Sequence, residues 1–557
     1  MAGATVYVNN APVPLLYVSD NQINFQVPSN LTAGTAMMSV SRDGGQSRVF
    51  PFQVVNNSPA LFQDASNHAA AQNAVDGSTN SSSNPVASGE VLVVYLTGQG
   101  ALNNPVADGT PAPDSPLSMA SATATATIGG ANATVQFLGL TPGFAGLAQA
   151  NLLVPPLATG DYPLVLTVGG YVSASAQVSV SGSGTAPPVY LKLVGHLSFA
   201  NGSANSVAIY GDTTYLCGPN RIQIIDTSDV TAPAYVGEFG DQDLTVNGAG
   251  YGGKCAINTN TSQPILVDIV GPGASPALAV YSLASPQNPA LLIKQPTQTY
   301  TFLTDISFLG TVGYFSTSWF QTSGNSITAQ FGNFLAYDFS NLYPAPLSVL
   351  SSGPGSGGNN LMPNALALNA SNNGSYPNTA YIASTTATGS NTSGNAALDV
   401  VNISSPQNMQ GVYQVTVSSA AIFTGFGYDN PLLLLAGNTT SVQNSSFSIT
   451  GNLTLSTMNI TNVERPSPIT TINTGIPTSG TFVVQPFGSD VFALVNNPPY
   501  TDPTGPSSLV IVDASKASSP AVYPFATQFG MTDVAAAGNY LLVPNVNGLM
   551  IYSIQTP

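Results

Sequence analysis

Arg221-Ile222-Gln223-Ile224-Ile225-Asp226-Thr227-Ser228 and Ser508-Leu509-Val510-Ile511-Val512-Asp513-Ala514-Ser515 follow one pattern: an apolar strand ending in Asp, then a turn with a proline seven residues after the Asp, at Pro233 and Pro520. The strand and its polar pivot recur at Ser282, Asp338, Asn402, Asn459 and Ser553. Successive pivots lie 56, 56, 64, 57, 54 and 40 residues apart, room for four short strands per unit. A period of that length built from short strands predicts a β-propeller, here of seven blades, rather than a sandwich. The last unit finishes with Gly548-Leu549-Met550-Ile551-Tyr552 and lacks an outer strand, while Val189-Tyr190-Leu191-Lys192-Leu193-Val194-Gly195 opens the domain without a preceding blade. Val189 to Phe199 is therefore expected to complete the last blade, leaving no open sheet edge in the ring.

The two best units resemble the LVIVD-repeat family, whose repeats form β-propellers in extracellular and surface proteins. The resemblance bears on residues 189–557 and implies architecture, not an activity.

Upstream, the first 180 residues read as short strands such as Ala4 to Val8, Val91 to Leu96, Ala148 to Val154 and Tyr162 to Val168, separated by Gly, Pro and Asn turns. They contain an internal repeat. Gln22-Ile23-Asn24-Phe25-Gln26-Val27-Pro28 is echoed by Gln149-Ala150-Asn151-Leu152-Leu153-Val154-Pro155, and Val8-Asn9-Asn10-Ala11 by Ile128-Gly129-Gly130-Ala131. Two related β-sandwich modules are expected, residues 1–62 and 63–180. Gly89 to Gly98 has no counterpart in the first, so that module reads as truncated, with strands and a secretion signal expected upstream of Met1 or a partner strand filling the gap. Together with Thr97-Gly98-Gln99-Gly100 and Gly169-Gly170-Tyr171-Val172-Ser173, these motifs resemble the immunoglobulin-like domain of acidobacterial extracellular proteins, which usually stands at the C-terminal end. Here it precedes another domain. Ser181-Gly182-Ser183-Gly184-Thr185-Ala186-Pro187-Pro188 reads as a linker over 181–188.

Composition narrows the function classes. Of 557 residues only 8 are Lys or Arg and 24 are Asp or Glu, so 6% are charged, where about 25% is usual. Polarity comes from Asn, Ser, Thr and Gly, and 54 Gly with 43 Pro leave little room for long helices. An all-β chain follows. A net charge of −16 without any basic cluster opposes nucleic-acid binding. The apolar run Pro431 to Ala436 is far short of the roughly 20 residues a membrane helix needs.

Candidate sites follow from where insertions fall. The pivot Asp or Asn is expected to accept backbone N–H groups of its own turn, in preference to forming a ring of metal ligands. Insertions concentrate between the second and third strands of a unit, at Ser318 to Gly332, Thr385 to Asn395, Asn438 to Gly451 and Asn496 to Ser507, against Gly218-Pro219-Asn220 in the first unit. These loops carry Trp319, Phe320, Phe447 and Tyr500 among neutral polar residues, a composition suited to stacking on a glycan or polymer. The competing reading folds those aromatics back onto their own loops. Asp241 and Asp243 offer calcium a weak D-x-D, against which stands a solvated turn. No other cofactor is indicated. Cys217 and Cys255 are placed on second strands of adjacent blades, where they form either a disulfide or two buried thiols.

No catalytic set stands out: Glu90, Glu238 and Glu464 are the only glutamates, and neither His68 nor His196 accompanies a G-x-S-x-G nucleophile. The expectation is a non-enzymatic extracellular or cell-surface interaction protein whose propeller binds a glycan, polymer or surface protein, without inserting into membrane. Two alternatives are a secreted propeller hydrolase or lyase acting on polysaccharide, and a structural subunit of a surface layer or filament that self-assembles through the truncated first module.

Overall fold

The computed structural model describes residues 3–169, 171–184, 190–198, 204–218, 221–240, 254–270, 277–296, 302–323, 326–350, 365–369, 378–386, 395–418, 422–429, 431–438, 450–479, 482–487, 490–496, 506–545 and 548–555. Among them there are strands and turns and no helix. The chain divides into two compact units, one essentially Met1–Tyr190 and the other Leu191–Tyr523 with Gln528–Ile554.

The first unit contains the repeat as two strand sets paired in the same order. In the first copy Ala4–Val8 lies between Ala11–Pro12 and Gly34–Arg42, and the latter also pairs with Gly45–Gln46 and Phe50–Val54. In the second, Ala124–Ile128 lies between Ala131–Leu140 and Ala158–Val168, and the latter also pairs with Tyr171–Val172 and Ala176–Ser183. The opening hairpin turns through two left-handed residues in each copy, Asn9 and Asn10 at φ 48° and 67°, Gly129 and Gly130 at 58° and 78°. Asn and Gly are the residues that tolerate this conformation. The Gln-x-Asn signature is local as well: the Gln22 amide donates to Asn24 Oδ1 at 2.7 Å and the Gln149 amide to Asn151 Oδ1 at 3.0 Å.

The second copy departs from a sandwich of two separate sheets. Ala131–Leu140 pairs with Ala124–Ile128 through Ala131–Ala133 and with Ala148–Leu153 from Thr134 onward, shifting register between Val135 and Phe137. One strand thus serves both layers, and ten strands form a single sheet bent into a half-barrel over one core. Both boundaries also move. Ala60–Leu61 pairs with Val91–Thr97, so the second copy has begun before residue 63. The strand Ala176–Ser183 runs into the segment read as linker. There Gly182 and Gly184 serve close approach, since a Cβ on either would collide with the carbonyl of Leu157 or Pro156.

The second unit contains seven four-stranded sheets among its described residues. Sheet 1 is Ser206–Tyr210, Thr213–Cys217, Ile222–Asp226 and Ala234–Phe239; sheet 2 is Lys254–Asn258, Ile265–Val270, Ala277–Ser282 and Ala290–Pro296. Sheets 3 to 6 begin at Phe302–Leu309, Ala365–Asn369, Ile422–Asp429 and Phe482–Pro486. Sheet 7 joins Ala535–Ala537, Tyr540–Asn545 and Gly548–Gln555 to Tyr190–Ser198, which occupies the outer position. First strands of consecutive sheets lie against one another, and that of sheet 7 lies against that of sheet 1, so the first strands run round a closed ring.

Alternation along each strand explains the packing. In sheet 1 Tyr215, Cys217, Ile222 and Ile224 face sheet 2, meeting Cys255, Leu266, Ala279 and Tyr281. Leu216 and Ile225 face the other way and meet Leu542, Leu549 and Ile551 of sheet 7. Equivalent clusters join sheets 2 and 3, 3 and 4, 4 and 5, and 5 and 6. Every pivot stands at or near the end of a third strand, and six of the seven accept the N–H two residues on: Asp226 from Ser228, Ser282 from Ala284, Asp338 from Ser340, Asn402 from Ser404, Asn459 from Thr461 and Asp513 from Ser515, at 2.8–3.2 Å. Ser553 instead donates to the Lys192 carbonyl at 3.4 Å.

These capped turns also receive hydrogen bonds from the preceding sheet. The Tyr215 hydroxyl donates to the Pro286 carbonyl at 2.7 Å, Tyr381 to Val463 at 2.8 Å, and Thr457 to Ala517 at 2.6 Å. Burial pushes the Tyr215 hydroxyl well above its ordinary pKa, with a smaller push from Tyr210, so it stays a neutral donor. Replacing Tyr215 by Phe strands the Pro286 carbonyl between sheets 1 and 2 and is expected to cost about 1–2 kcal/mol in a denaturant titration.

Candidate functional site

Charged side chains in this chain are few, and four consecutive sheets bring several of them to the beginnings of their first strands. Asp533 precedes the first strand of sheet 7, Ser206 and Lys254 open those of sheets 1 and 2, and Asp305 lies early in that of sheet 3. Lys254 Nζ stands 2.8 Å from Asp305 Oδ1, with the two side chains 34% and 17% exposed, so the pair is partly open to solvent. Burial disfavours the Lys254 ammonium, but Asp305 and Asp533 outweigh that penalty and hold its pKa above the ordinary value. Asp533 is buried and accepts the N–H groups of Val207 at 2.9 Å and Val534 at 2.8 Å. Its pKa is pushed up to about 6, chiefly by desolvation, with Lys254 and the two N–H groups pulling the other way.

Polar ties link the same sheets. The Thr532 hydroxyl donates to the Ala204 carbonyl at 2.5 Å, joining sheet 7 to sheet 1. The Cys255 N–H donates to Ser206 Oγ at 2.9 Å, and a Cys217–Cys255 disulfide covalently joins sheets 1 and 2. Cys217 lies on a second strand and Cys255 on a first strand, one strand further in than its expected position. Opposite Cys255 in the ladder is Asp268, buried, with Oδ1 lacking a hydrogen-bond partner. Desolvation drives its pKa far upward against one backbone N–H.

Chemically, this inner-strand cluster offers two carboxyl groups around one ammonium. Among the described residues no three His, Cys, Asp or Glu side chains converge as a metal-ligand set. The calcium candidates Asp241 and Asp243, and the aromatics Phe447 and Tyr500, lie outside the described residues. Trp319 and Phe320 are in a strand, not a loop. Val312–Ser323 and Ser326–Asp338 pair without interruption past Trp319↔Phe331 and Phe320↔Gln330 to Ser323↔Ser326, broken only by a bulge at Gln321/Thr322. The segment read as a projecting loop is therefore mostly a two-stranded arm. The Gly324-Asn325 dipeptide flanked by Thr, Ile, Trp and Phe was the available signal for it. The cluster of Lys254, Asp305 and Asp533 escaped the motif reading because its members are distant in sequence. Lys254 and Asp305 are nonetheless 51 positions apart, close to one repeat, in a chain where charge is rare.

Sheets stacked side by side around a ring of first strands define a β-propeller, and the family comparison agrees. An LVIVD repeat model matches residues 201–241, the stretch that contains sheet 1. No curated protein matches the chain. Similar solved structures include a hypothetical selenium-binding protein from Sulfolobus tokodaii, at 11% identity over 72% of this chain and 90% of that one with a TM-score of 0.40. The N-terminal domain of Nup159 is similar at 9% identity over 67% and 97%, TM-score 0.40, and Chaetomium thermophilum Sqt1 at 9% over 71% and 89%, TM-score 0.37.

The raised Asp533 value has a definite sign. The folded chain holds that proton more tightly than the unfolded chain, so the stability tied to it is complete below about pH 4 and is lost as pH rises through about 6. Asp533→Asn is therefore expected to gain on the parent by about 2–3 kcal/mol between pH 4 and pH 7 in parallel denaturation curves. A gap independent of pH means that Asp533 titrates normally.

Proposed function

We propose that this is a non-enzymatic extracellular or cell-surface interaction protein, in which a seven-bladed LVIVD-type propeller over about residues 189–557 presents its second-to-third hairpins to a glycan, neutral polymer or surface protein. Two immunoglobulin-like modules precede it and serve as spacer and assembly element. Seven four-stranded sheets with a closed ring of first strands support the blade count. The matching strand order of the two repeats supports a pair of related modules.

The observation that carries the binding reading is the arm of sheet 3. Its strands have 12 and 13 residues, against 5 and 5 for the matching strands of sheet 1. Ser318-Trp319-Phe320-Gln321-Thr322-Ser323 supplies aromatic and neutral hydrogen-bonding groups and no charge. Strand pairing fixes the backbone that carries such groups at less entropic cost than a loop. The Cys217–Cys255 disulfide suits an oxidising compartment. Glycan and protein arrays probed with the parent, Trp319→Ala and Tyr500→Ala are expected to show a ligand that each variant weakens at least about tenfold; equal binding by all three removes the hairpin face from consideration.

A second reading, a secreted hydrolase or lyase on polysaccharide, draws on the carboxylates of Asp305 and Asp533 beside Lys254. It predicts polysaccharide turnover that Asp305→Asn abolishes while the fold, followed by circular dichroism, stays intact.

A further inference from the structure

We propose that the Cys217–Cys255 bond is a reducible switch between sheets 1 and 2, opened by a small dithiol, with Asp268 supplying the proton to the departing Cys255 sulfur. The bond runs from the last residue of Thr213–Cys217 to the second residue of Lys254–Asn258. Each cysteine faces a polar residue directly across its own ladder, Ser206↔Cys217 in sheet 1 and Cys255↔Asp268 in sheet 2. Residues opposed in this way share a face, with Cβ atoms about 4.5–5.5 Å apart. Leu266, two positions before Asp268, belongs to the cluster that holds both cysteines, so the face carrying Asp268 is the one turned toward sheet 1.

A bridge that only holds two sheets together gains nothing from a buried acid beside it. All four side chains of the quartet are buried. Ser206 Oγ is satisfied there: it accepts the Cys255 N–H at 2.9 Å and donates to Cys255 Sγ at 3.7 Å. Asp268 Oδ1 has no hydrogen-bond partner among the described residues. An orphaned buried carboxyl is costly, and a redox role is one of the few reasons for keeping it. Burial also favours its protonated form, against the Ile269 N–H. The titratable groups sharing this face are the Tyr281 hydroxyl of sheet 2 and those of Tyr215 and Tyr210 in sheet 1, and burial raises the pKa of Tyr281 and Tyr215 as well.

The exchange balances with the dithiol alone. One thiolate of the reductant attacks Cys217 Sγ, the bond between the cysteines breaks, and its electron pair leaves on Cys255 Sγ, which takes the Asp268 proton. The second thiol of the reductant then displaces Cys217, which departs with that thiol's proton. The reductant leaves as a cyclic disulfide, and the Asp268 carboxylate regains a proton from water. The Tyr215 hydrogen bond to Pro286 and the shared apolar cluster still join the two sheets, so opening the bond releases the strand that carries Lys254 without parting them.

The test adds dithiothreitol to the folded full chain, counts released thiols by alkylation and mass, and follows the fold by circular dichroism. Two thiols are expected with the fold retained, and hydrogen exchange at residues 254–258 is expected to quicken at least about tenfold. Asp268→Asn, isosteric and uncharged, is expected to slow reduction per reductant thiolate at least about tenfold near pH 6. That gap closes as pH rises, because the parent then loses the proton it donates. The parent's own profile supplies the same test if the variant does not fold: its rate per thiolate falls with rising pH. Thiols released only on unfolding, equal rates for parent and variant at every pH, or a parent rate per thiolate that stays level from about pH 5 to 10 overturns the proposal.

Discussion

A four-stranded sheet that is apolar on both faces is not stable alone, and the propeller unit follows from that constraint. Sheet 1 sends Tyr215 and Cys217 to one side and Leu216 and Ile225 to the other, so it requires a neighbour on each. The condition recurs at each described sheet junction and is satisfied for the first and last sheets only when they meet. Tyr190–Ser198 beside Gly548–Gln555 makes that meeting a matter of backbone hydrogen bonding as well as packing.

With so little charge in the chain, polar ties between sheets are made mostly by neutral groups. Tyrosine and threonine hydroxyls reach the carbonyls of the next turn, and the turns are held ready because a pivot side chain has already satisfied an N–H. Among the described residues, Arg42–Asp43 and Arg221–Glu238 pair within the first module and within sheet 1, whereas Lys254 links the first strands of different sheets by pairing with Asp305 while also feeling Asp533.

Much of this was legible in the sequence because the pivots combine a local role with a fixed period. Asp226, Asn402 and Asp513 are recognisable as turn residues, and their spacing gives the sheets their order. The closing strand could be read because an unmatched strand at each end is a visible imbalance. Two things were not legible. Ala131–Leu140 serves two layers through a register shift near Val135, and nothing in its alternating pattern marks where it changes partner. The Lys254, Asp305 and Asp533 cluster depends on three-dimensional phase, since a charge gains significance only when its position within a repeat places it on the inner ring. The arm holding Trp319 lay between: its Gly-Asn dipeptide was present in the sequence, but abundant Ser, Thr and Gly made a strand resemble a loop.

The closing pair has a consequence for how such a chain is made. Ser553 bonds Lys192 across 361 positions, so the strand at the start of the propeller unit is synthesised long before its mate exists. Until then Tyr190–Ser198 has no permanent place and the Leu216 and Ile225 face of sheet 1 lacks its neighbour. Assembly of this unit therefore waits for Gly548–Gln555, and a loss of a few residues there would unsettle sheets translated hundreds of codons earlier.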